Sequence, residues 1–395
     1  MIYQLNYQGL EMHHRISSNK PFDYSHLHND TGDTNFSFLF ESPCEFIIQS
    51  GLNENESPDN LRLSSAQQPG SDLEITTVKK DFDIPSDTQS LNSMSIRLGS
   101  GIIVKKISAS GNSHVYKIWN ADLELFRAVK LCGDSNLMHD ATNRFGTEAK
   151  IAAQLRHTNI IEVYNTGRWN NTPFIEMEFI DGHSIVQLLK SSGPLPVPVA
   201  LAVSISVVRA LIYAHHNAFR IGGKTYRGII HRDIKPHNIM VSSSGVVKLL
   251  DFGIARPCDN SLYNTVASDK IVGTIQYLSP EQMDGSDLDF RSDTYSFGAV
   301  LYEMLSGKAT FPLSTLSNIV KSKFSNAYLK FKVLGIKLPK QLEEMVYTCL
   351  EYDKTLRYAS LELLLEKLEN IFADISSKTL DDTLRNFIKD YLHKN

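Results

Sequence analysis

The stretch His-Arg-Asp-Ile-Lys-Pro-His-Asn at residues 231–238 is the most informative part of this 395-residue sequence. One loop carries Asp233, Lys235 and Asn238, at spacings that allow all three side chains to reach one site. The carboxylate can accept a hydroxyl proton, the ammonium can neutralise charge that develops on a phosphate, and the amide oxygen can bind a metal ion. Five specified residues at these spacings arise by chance in such a chain about once in ten thousand, so we interpret the stretch as functional.

A second motif, Asp251-Phe252-Gly253, begins 13 residues after Asn238. It directly follows the apolar run at 245–250, which is typical of a strand, so that the carboxylate of Asp251 stands on a turn. Carboxylate oxygens are the ligands that Mg²⁺ prefers, and they usually share the ion with substrate phosphates. Together the two motifs indicate a site for phosphate chemistry.

These motifs resemble those of the eukaryotic-type (Hanks-type) serine/threonine protein kinases, in the form found in bacteria. The resemblance covers residues 98–372, about 70% of the chain. It implies an α+β, bilobal fold, with a small β-rich N-lobe (about 98–178) and a larger helical C-lobe (about 182–372). It also implies ATP and Mg²⁺ (or Mn²⁺) as cofactors. By this resemblance Asp233 is the catalytic base, Lys235 contacts the γ-phosphate, and Asn238 and Asp251 hold the metal.

The resemblance extends to the expected nucleotide pocket. Lys130, in Ala128-Val129-Lys130, matches the strand lysine that binds the α- and β-phosphates, and Glu148 lies 18 residues later, where the family places its pairing glutamate. Met177 is expected to border the adenine ring. The backbone groups of Glu178 and Ile180 are expected to bond the base.

The phosphate-binding loop departs from the family pattern of three glycines. The loop positions are Ile107, Ser108, Ser110, Gly111, Ser113 and Val115. Glycine allows the backbone to approach phosphate closely, and serine does so less freely. We therefore expect reduced ATP affinity with retained chemistry, since the set of Lys, Glu, Asp, Asn and Asp is complete. The alternative is a pseudokinase that acts as a scaffold. A small-molecule phosphotransferase of related fold is disfavoured. Such enzymes lack a lysine at the position of Lys235, and they lack the Ser-Pro-Glu segment at 279–281.

The segment at 273–281, Gly-Thr-Ile-Gln-Tyr-Leu-Ser-Pro-Glu, resembles the end of a kinase activation segment, with Ser279 in place of the usual alanine. Thr274, together with Lys235, is similar to the serine/threonine class, in which the threonine bridges the catalytic Asp and Lys. Glu281 is expected to form a buried ion pair with Arg357. Asp293 is expected to brace the catalytic loop from the start of a helix.

Regulation and an insertion are also indicated. Arg232 beside Asp233 is typical of kinases whose activation loop is ordered by phosphorylation, and we expect autophosphorylation. The candidate sites are Ser261, Thr265 and Ser268. The connection from residue 216 to His231 is about ten residues longer than usual, as in bacterial relatives of this family.

Hydrophobic patterns predict the elements of the two lobes. The predicted strands are 101–108, 114–119, 125–131, 161–164 and 174–179. The predicted helices are 142–155, 184–190, 198–214, 293–305, 338–350 and 360–375. An amphipathic helix is expected within 373–395, at 380–392, packed on the domain or on a partner helix.

Residues 1–97 form an acidic extension, with 14 Asp and Glu against 6 Lys and Arg, whereas the whole chain has a formal net charge of −4. We favour a mostly disordered segment with one local hairpin, predicted at 35–48, and a further weak strand at 73–78, over a small folded domain. The excess charge, −8, suggests that this segment binds its own kinase domain, which carries +4, or a partner.

Composition excludes several classes. A chain that is 42% hydrophobic is not wholly disordered, and it lacks the basic bias of nucleic-acid-binding proteins, so we expect no nucleic-acid partner. The longest apolar run, 199–214, is short for a membrane span of about 20 residues and predicts a buried helix. The four cysteines are far apart, which indicates a reducing compartment. We therefore expect a cytoplasmic protein whose partners are ATP and protein substrates, without a membrane span.

Overall fold

The computed structural model describes residues 4–7, 10–13, 96–110, 113–132, 150–221, 223–252, 275–312 and 314–394. The chain divides into two units, residues 1–79 and 80–395. In the first unit, β1 (Gln4–Tyr7) and β2 (Leu10–His13) pair as an antiparallel hairpin. The strands predicted at 35–48 and 73–78 lie outside the described residues, as does most of the predicted disordered extension.

The N-lobe of the second unit is one antiparallel sheet of six strands in the order β3-β4-β5-β6-β8-β7. Its strands are β3 (Arg97–Leu98), β4 (Gly101–Ser110), β5 (Ser113–Asn120), β6 (Leu125–Cys132), β7 (Val163–Trp169) and β8 (Thr172–Glu178). Asn170 and Asn171, with φ of 47° and 63°, form the two-residue turn between β7 and β8. Asparagine tolerates this left-handed conformation better than most residues. The predicted strands are found, with ends displaced by up to five residues.

The two faces of this sheet have different roles. One face packs a cluster that includes Ile118, Val129 and Phe174. The other packs Ala128 and Met177 with partly buried groups at the interlobe cleft. The alternation follows from the two-residue period of a strand, which places Ala128 and Val129 on opposite faces. Of the helix predicted at 142–155, the structure describes residues from 150 onward, and residues 150–152 are helical.

The C-lobe is mainly helical, as predicted. Its helices are α1 (Ile185–Ser192), α2 (Val197–His216), α3 (Pro280–Asp284), α4 (Phe290–Ser306), α5 (Leu316–Phe324), α6 (Lys340–Cys349), α7 (Leu361–Ile375) and α8 (Leu380–Lys394). A three-stranded sheet, in the order β13-β12-β9, joins the helices to the cleft. It consists of β9 (Gly182–Ser184), β12 (Ile239–Ser242) and β13 (Val247–Leu249).

Helix α2 forms the centre of the C-lobe core. It has the length and mean hydropathy (2.0) of a membrane-crossing helix, but 72% of its most apolar window is buried within the protein. Ser206 fits within this apolar helix because it bonds locally: its Oγ donates to the carbonyl of Ala202 at 2.9 Å. The interpretation of this run as a buried helix is therefore confirmed.

Two further features involve segments that the sequence singled out. The insertion before His231 folds as a hairpin of β10 (Ala218–Ile221) and β11 (Lys224–Arg227). The last helix, α8, packs on the C-lobe core through Leu384 and Ile388. The predicted domain boundary at 372 thus falls within α7, and α8 belongs to the same core.

Candidate active site

A single buried carboxylate, Asp293 in the first turn of α4, holds the loop that precedes Asp233. Its Oδ2 accepts the backbone N–H of His231 and its Oδ1 accepts that of Arg232, each at 2.8 Å. His215 Nε2 donates to Oδ2 at 2.8 Å. Burial raises the pKa of Asp293, but the groups around it, led by His215 through its hydrogen bond and charge, lower it by more than burial raises it. The pKa of Asp293 therefore lies below the ordinary value. The predicted bracing role is confirmed by these bonds.

The side chain of Asp233 is fixed by the two residues that the sequence grouped with it. Lys235 Nζ donates to both carboxylate oxygens, at 2.9 and 2.8 Å. Asn238 Nδ2 donates to Oδ2 and to the carbonyl of Asp233, both at 2.9 Å. The 3₁₀ turn at residues 236–238 brings Asn238 back toward Asp233. The spacing of the three residues therefore produces one compact cluster.

His231 links this loop to the strand that leads to Asp251. Its Nε2 donates to the carbonyl of Leu250 at 2.9 Å, and its Nδ1 accepts the N–H of Asp233 at 3.2 Å. The ring lies 4.5 Å from that of Phe252. Burial lowers the pKa of His231, which agrees with a neutral ring that donates through one nitrogen and accepts through the other. Leu250 N–H also donates to the carbonyl of Asn238 at 2.8 Å, which fixes the two loops side by side.

Asp251 and Lys130 meet across the cleft between the lobes, with Nζ and Oδ1 separated by 2.7 Å. Asp251 adopts φ of 51°, a left-handed conformation uncommon outside glycine, which turns its side chain out of the preceding strand. The carboxylate is 38% exposed and faces the cleft. Burial raises the pKa of Asp251, but the ammonium of Lys130 outweighs this effect and leaves the pKa below its ordinary value. The pair therefore remains ionised.

The expected adenine pocket is an apolar cluster beside this ion pair. Ala128 and Met177 are buried in it, and Val115 and Ile180 are partly buried against them. Ala128 pairs with Met177 across neighbouring strands, and Val115 pairs with Lys130. The structure therefore brings four of the predicted nucleotide contacts into one surface.

Glu178, at the junction of the lobes, is partly committed to other contacts. Its backbone N–H donates to the carbonyl of Glu162 at 2.8 Å. Its carboxylate forms an ion pair with Lys248 at 2.8 Å. Backbone groups of Glu178 and Ile180 are expected to bond the base. Because the N–H of Glu178 is already used, only its carbonyl oxygen can do so.

The serine-rich phosphate loop is the end of the β4–β5 hairpin. Ser108 pairs with Val115 and Ser110 pairs with Ser113, so that two residues join the strands. Ile107 is 44% exposed at the same end of the hairpin. Gly111 lies outside the described residues, as do Glu148, Thr274 and the candidate phosphorylation sites.

The segment after Thr274 is anchored to the catalytic loop by Gln282, which the sequence patterns did not identify. Ser279 caps α3, accepting the N–H of Gln282 at 3.3 Å. Gln282 Nε2 in turn donates to the carbonyl of Arg232 at 2.8 Å. Serine is a good helix cap and alanine is not, so the cap gives a physical reason for serine at this position.

The predicted ion pair between Glu281 and Arg357 is confirmed. Two parallel bonds join them, at 2.7 and 2.9 Å, and both side chains are almost wholly buried. Burial raises the pKa of Glu281, but the guanidinium of Arg357 brings it below the ordinary value. The pair ties α3 to the segment before α7 and so fixes the shape of the C-lobe.

A buried lysine of α5, Lys323, also anchors this segment. Its ammonium donates to the carbonyls of Gln276 and Leu278, each at 2.8 Å, and lies over the rings of Tyr295 and Phe311. The side chain is fully buried, and burial lowers its pKa well below the ordinary value. Lys323 is therefore a structural brace of the segment that would face a peptide substrate.

Comparison with known proteins agrees with this geometry. The protein kinase domain family matches residues 103–394. A probable serine/threonine-protein kinase of Clostridium acetobutylicum is 34% identical over 275 residues, which is 68% of this chain and 39% of that protein. The serine/threonine-protein kinase PknB of Mycobacterium leprae is 42% identical over 172 residues, which is 42% of this chain and 26% of that protein.

The matched region thus spans about two fifths or less of the length of these curated relatives. The family match, by contrast, covers most of the present chain, including α8. The resemblance to bacterial kinases of the eukaryotic type and the bilobal α+β fold are both confirmed. This chain belongs to the protein kinase domain family.

Proposed function

We propose that this protein is an ATP-dependent serine/threonine protein kinase, which transfers the γ-phosphoryl group of Mg-ATP to serine and threonine hydroxyls of proteins. The observation that carries the proposal is the convergence of two clusters of acidic and basic side chains on one cleft. Lys130 and Asp251 meet at 2.7 Å, and Asp233 is held by Lys235 and Asn238 on the adjoining loop.

The residues present fit both cofactors. The apolar cluster of Val115, Ala128, Met177 and Ile180 suits the flat adenine ring. Asn238 uses its side-chain nitrogen, Nδ2, to bond Asp233, which leaves its side-chain oxygen, Oδ1, for a cation. That oxygen and the carboxylate of Asp251 would hold Mg²⁺ or Mn²⁺, which prefer oxygen ligands.

The chain's own groups have separable roles in this proposal. Asp233 would orient the substrate hydroxyl and accept its proton, with its carboxylate fixed by two donors. Lys235 and Lys130 would neutralise charge on the transferred phosphoryl group and on the neighbouring phosphates. Bound Mg-ATP supplies the phosphoryl group and part of the charge neutralisation. Glu148, as the partner of Lys130, and Thr274, as the bridge between Asp233 and Lys235, complete the proposed site.

The substrate class rests on Lys235, two residues after Asp233, and on the relatives, which are named serine/threonine kinases. We expect autophosphorylation between residues 253 and 273, because Arg232, which precedes Asp233 in the sequence, is suited to bind a phosphate on that segment. We further propose a cytoplasmic location and no nucleic-acid partner, from the composition described above.

Phosphate transfer from Mg-ATP to a generic basic protein tests the proposal, with Asp233→Asn as the inactive control. Transfer that is lost in the variant supports the enzyme. Tight nucleotide binding without transfer would instead support the pseudokinase alternative, which rests on the serine-substituted loop.

We also propose that the acidic extension binds the kinase domain or a partner protein electrostatically. Deletion of residues 1–95, which leaves strand β3 in place, should change the activity and its salt dependence, since salt screens such attraction. Identical activity and salt response in both forms would show that the segment is only a linker.

A further inference from the structure

A cavity of about 320 Å³ lies beside the residues that lead into the catalytic loop, and its lining includes His215 and Ile230. Its apolar wall is formed by Ile212, Ile229, Leu288, Phe290 and Leu361, which come from α2, α4, α7 and the segments beside them. The volume is at the lower end of the range for small-molecule sites, and the cavity combines this apolar wall with polar and charged groups, among them His215, Arg227 and Glu362.

The inserted hairpin builds one side of this cavity and fixes it to α2. Gly228 N–H donates to the carbonyl of Asn217 at 2.9 Å, and Ile229 N–H donates to that of Ala214 at 3.0 Å. Gly228 has φ of 76°, and a Cβ at this position would lie 2.3 Å from the carbonyl oxygen of His215. Only glycine allows this close approach, so the wall is preformed.

Of the charged side chains at the rim of the cavity, the acidic ones have nearby basic partners and one arginine does not. Asp289 caps α4 through the N–H of Arg291 at 2.8 Å and lies 3.6 Å from Lys354. Glu362 lies 3.2 Å from His216. Arg227, at the end of β11, is exposed, and within the described ranges no carboxylate lies within 4.0 Å of it. The acidic groups at the rim therefore have partners, whereas the guanidinium of Arg227 is available to an anion.

We propose that this cavity is a ligand site for a small apolar carboxylate, whose hydrocarbon part enters the apolar wall and whose carboxylate bonds Arg227. A guanidinium binds carboxylates in a planar, two-bond geometry that a neutral amide cannot reproduce. The site is distinct from the nucleotide cleft, and its binding of a ligand does not depend on the proposed kinase activity.

The cavity is coupled to the catalytic loop by a short chain of contacts. His215 lines the cavity and donates to Asp293, whose two oxygens hold the N–H groups of His231 and Arg232. Ile230, which also lines the cavity, is bonded covalently to His231. An occupant therefore restrains the loop that carries Asp233, and its expected effect is to reduce local opening of that loop.

The binding test uses the full chain and two probes, 4-phenylbutanoate and its primary amide, titrated by ligand-observed NMR. The carboxylate should bind, and the amide should bind about tenfold more weakly, as expected for loss of a charge-assisted pair. Arg227→Gln should remove this preference. Arg220→Gln, an exposed arginine on the neighbouring strand of the same hairpin, should leave it unchanged. Equal binding of both probes, or no binding of either, would overturn the proposal.

The coupling is tested by amide hydrogen exchange of the peptide that covers residues 229–236. Saturating 4-phenylbutanoate should slow its exchange in the wild type and in Arg220→Gln, but not in Arg227→Gln at the same concentration. Binding without slower exchange would contradict the coupling, and this readout does not require phosphate transfer.

Discussion

At the scale of single residues, the active site depends on groups that never touch a substrate. Asp293 holds two backbone N–H groups of the catalytic loop, and Lys323 holds two carbonyls of the segment at 275–279. A buried donor or acceptor that loses its partner costs about 1–3 kcal/mol. Such residues therefore fix the positions of the reacting groups through the backbone.

Lys323→Met should impair recognition of a protein substrate more than binding of nucleotide. The change leaves the carbonyls of Gln276 and Leu278 without their donor, so the segment that would face the peptide loosens. We expect a severalfold increase in KM for a peptide substrate with little change in KM for ATP. Lys321→Met, an exposed lysine of the same helix, is the matched control. Equal effects on both KM values would contradict this role.

The sequence motifs identified the residues that carry chemistry, and the family resemblance also predicted the brace Asp293 and the ion pair of Glu281 with Arg357. The braces Gln282 and Lys323 were not predicted. Asp233, Lys235, Asn238 and Asp251 stand in short motifs, so their grouping is local. Lys323 occupies an unremarkable position in a mixed helix, and its buried state depends on rings and carbonyls that come from distant parts of the chain. No local pattern encodes such a contact.

At the scale of elements, the β4–β5 hairpin is the part of the site that departs most from its family. Its serine positions are paired between the strands just after a register shift between Lys106 and Ser108, with Ser108 opposite Val115 and Ser110 opposite Ser113. Backbone held in this way approaches a phosphate less closely than a glycine loop does. We therefore expect this element to limit nucleotide affinity rather than the chemical step.

Restoring glycine at Ser108, Ser110 and Ser113 together should lower the KM for ATP. The reason is closer approach of backbone N–H groups to the phosphates. Steady-state kinetics at varied ATP checks this, with kcat expected to change little. An unchanged KM would show that serine hydroxyls serve as well as glycine backbone here.

The ion pair between Glu281 and Arg357 supports a second element, helix α3. Arg357→Met leaves a buried carboxylate without its partner and should cost about 3–5 kcal/mol of unfolding free energy, measured with urea. Arg385→Gln breaks an exposed pair with Asp382, whose atoms are 3.4 Å apart, and should cost less than about 1 kcal/mol. The double variant Glu281→Gln with Arg357→Met should be more stable than Arg357→Met alone. Similar losses for the two arginines would refute this ranking.

The sequence predicted which helices and strands exist better than it predicted where they end or how they are connected. The period of apolar residues located α2, α4 and α7, because each buries one stripe or all of its surface. The insertion was recognised from its length, but its hairpin pairing and the cavity that it encloses depend on contacts with α2 and α4. Those contacts become visible only when the helices are assembled.

At the scale of the whole molecule, stability should rise with pH between about 4 and 7. Burial lowers the pKa of His231 below its ordinary 6.5, so below that pH the unfolded chain binds a proton that the folded chain rejects. The pKa of Glu281 and of Asp293 is also lowered, so their contribution is lost as the pH falls through the acid range. Urea midpoints measured across this range check the prediction. A flat or falling profile would contradict it.

We propose above all that the two clusters of acidic and basic side chains in the cleft form a working phosphotransferase site. Mass spectrometry of the purified chain after incubation with Mg-ATP tests it most directly, with Asp233→Asn as the matched variant. We expect phosphoserine or phosphothreonine on the wild-type chain, and at least a 10²-fold slower reaction in the variant. Equal phosphorylation of both proteins, or bound nucleotide without any phosphate transfer, would contradict it.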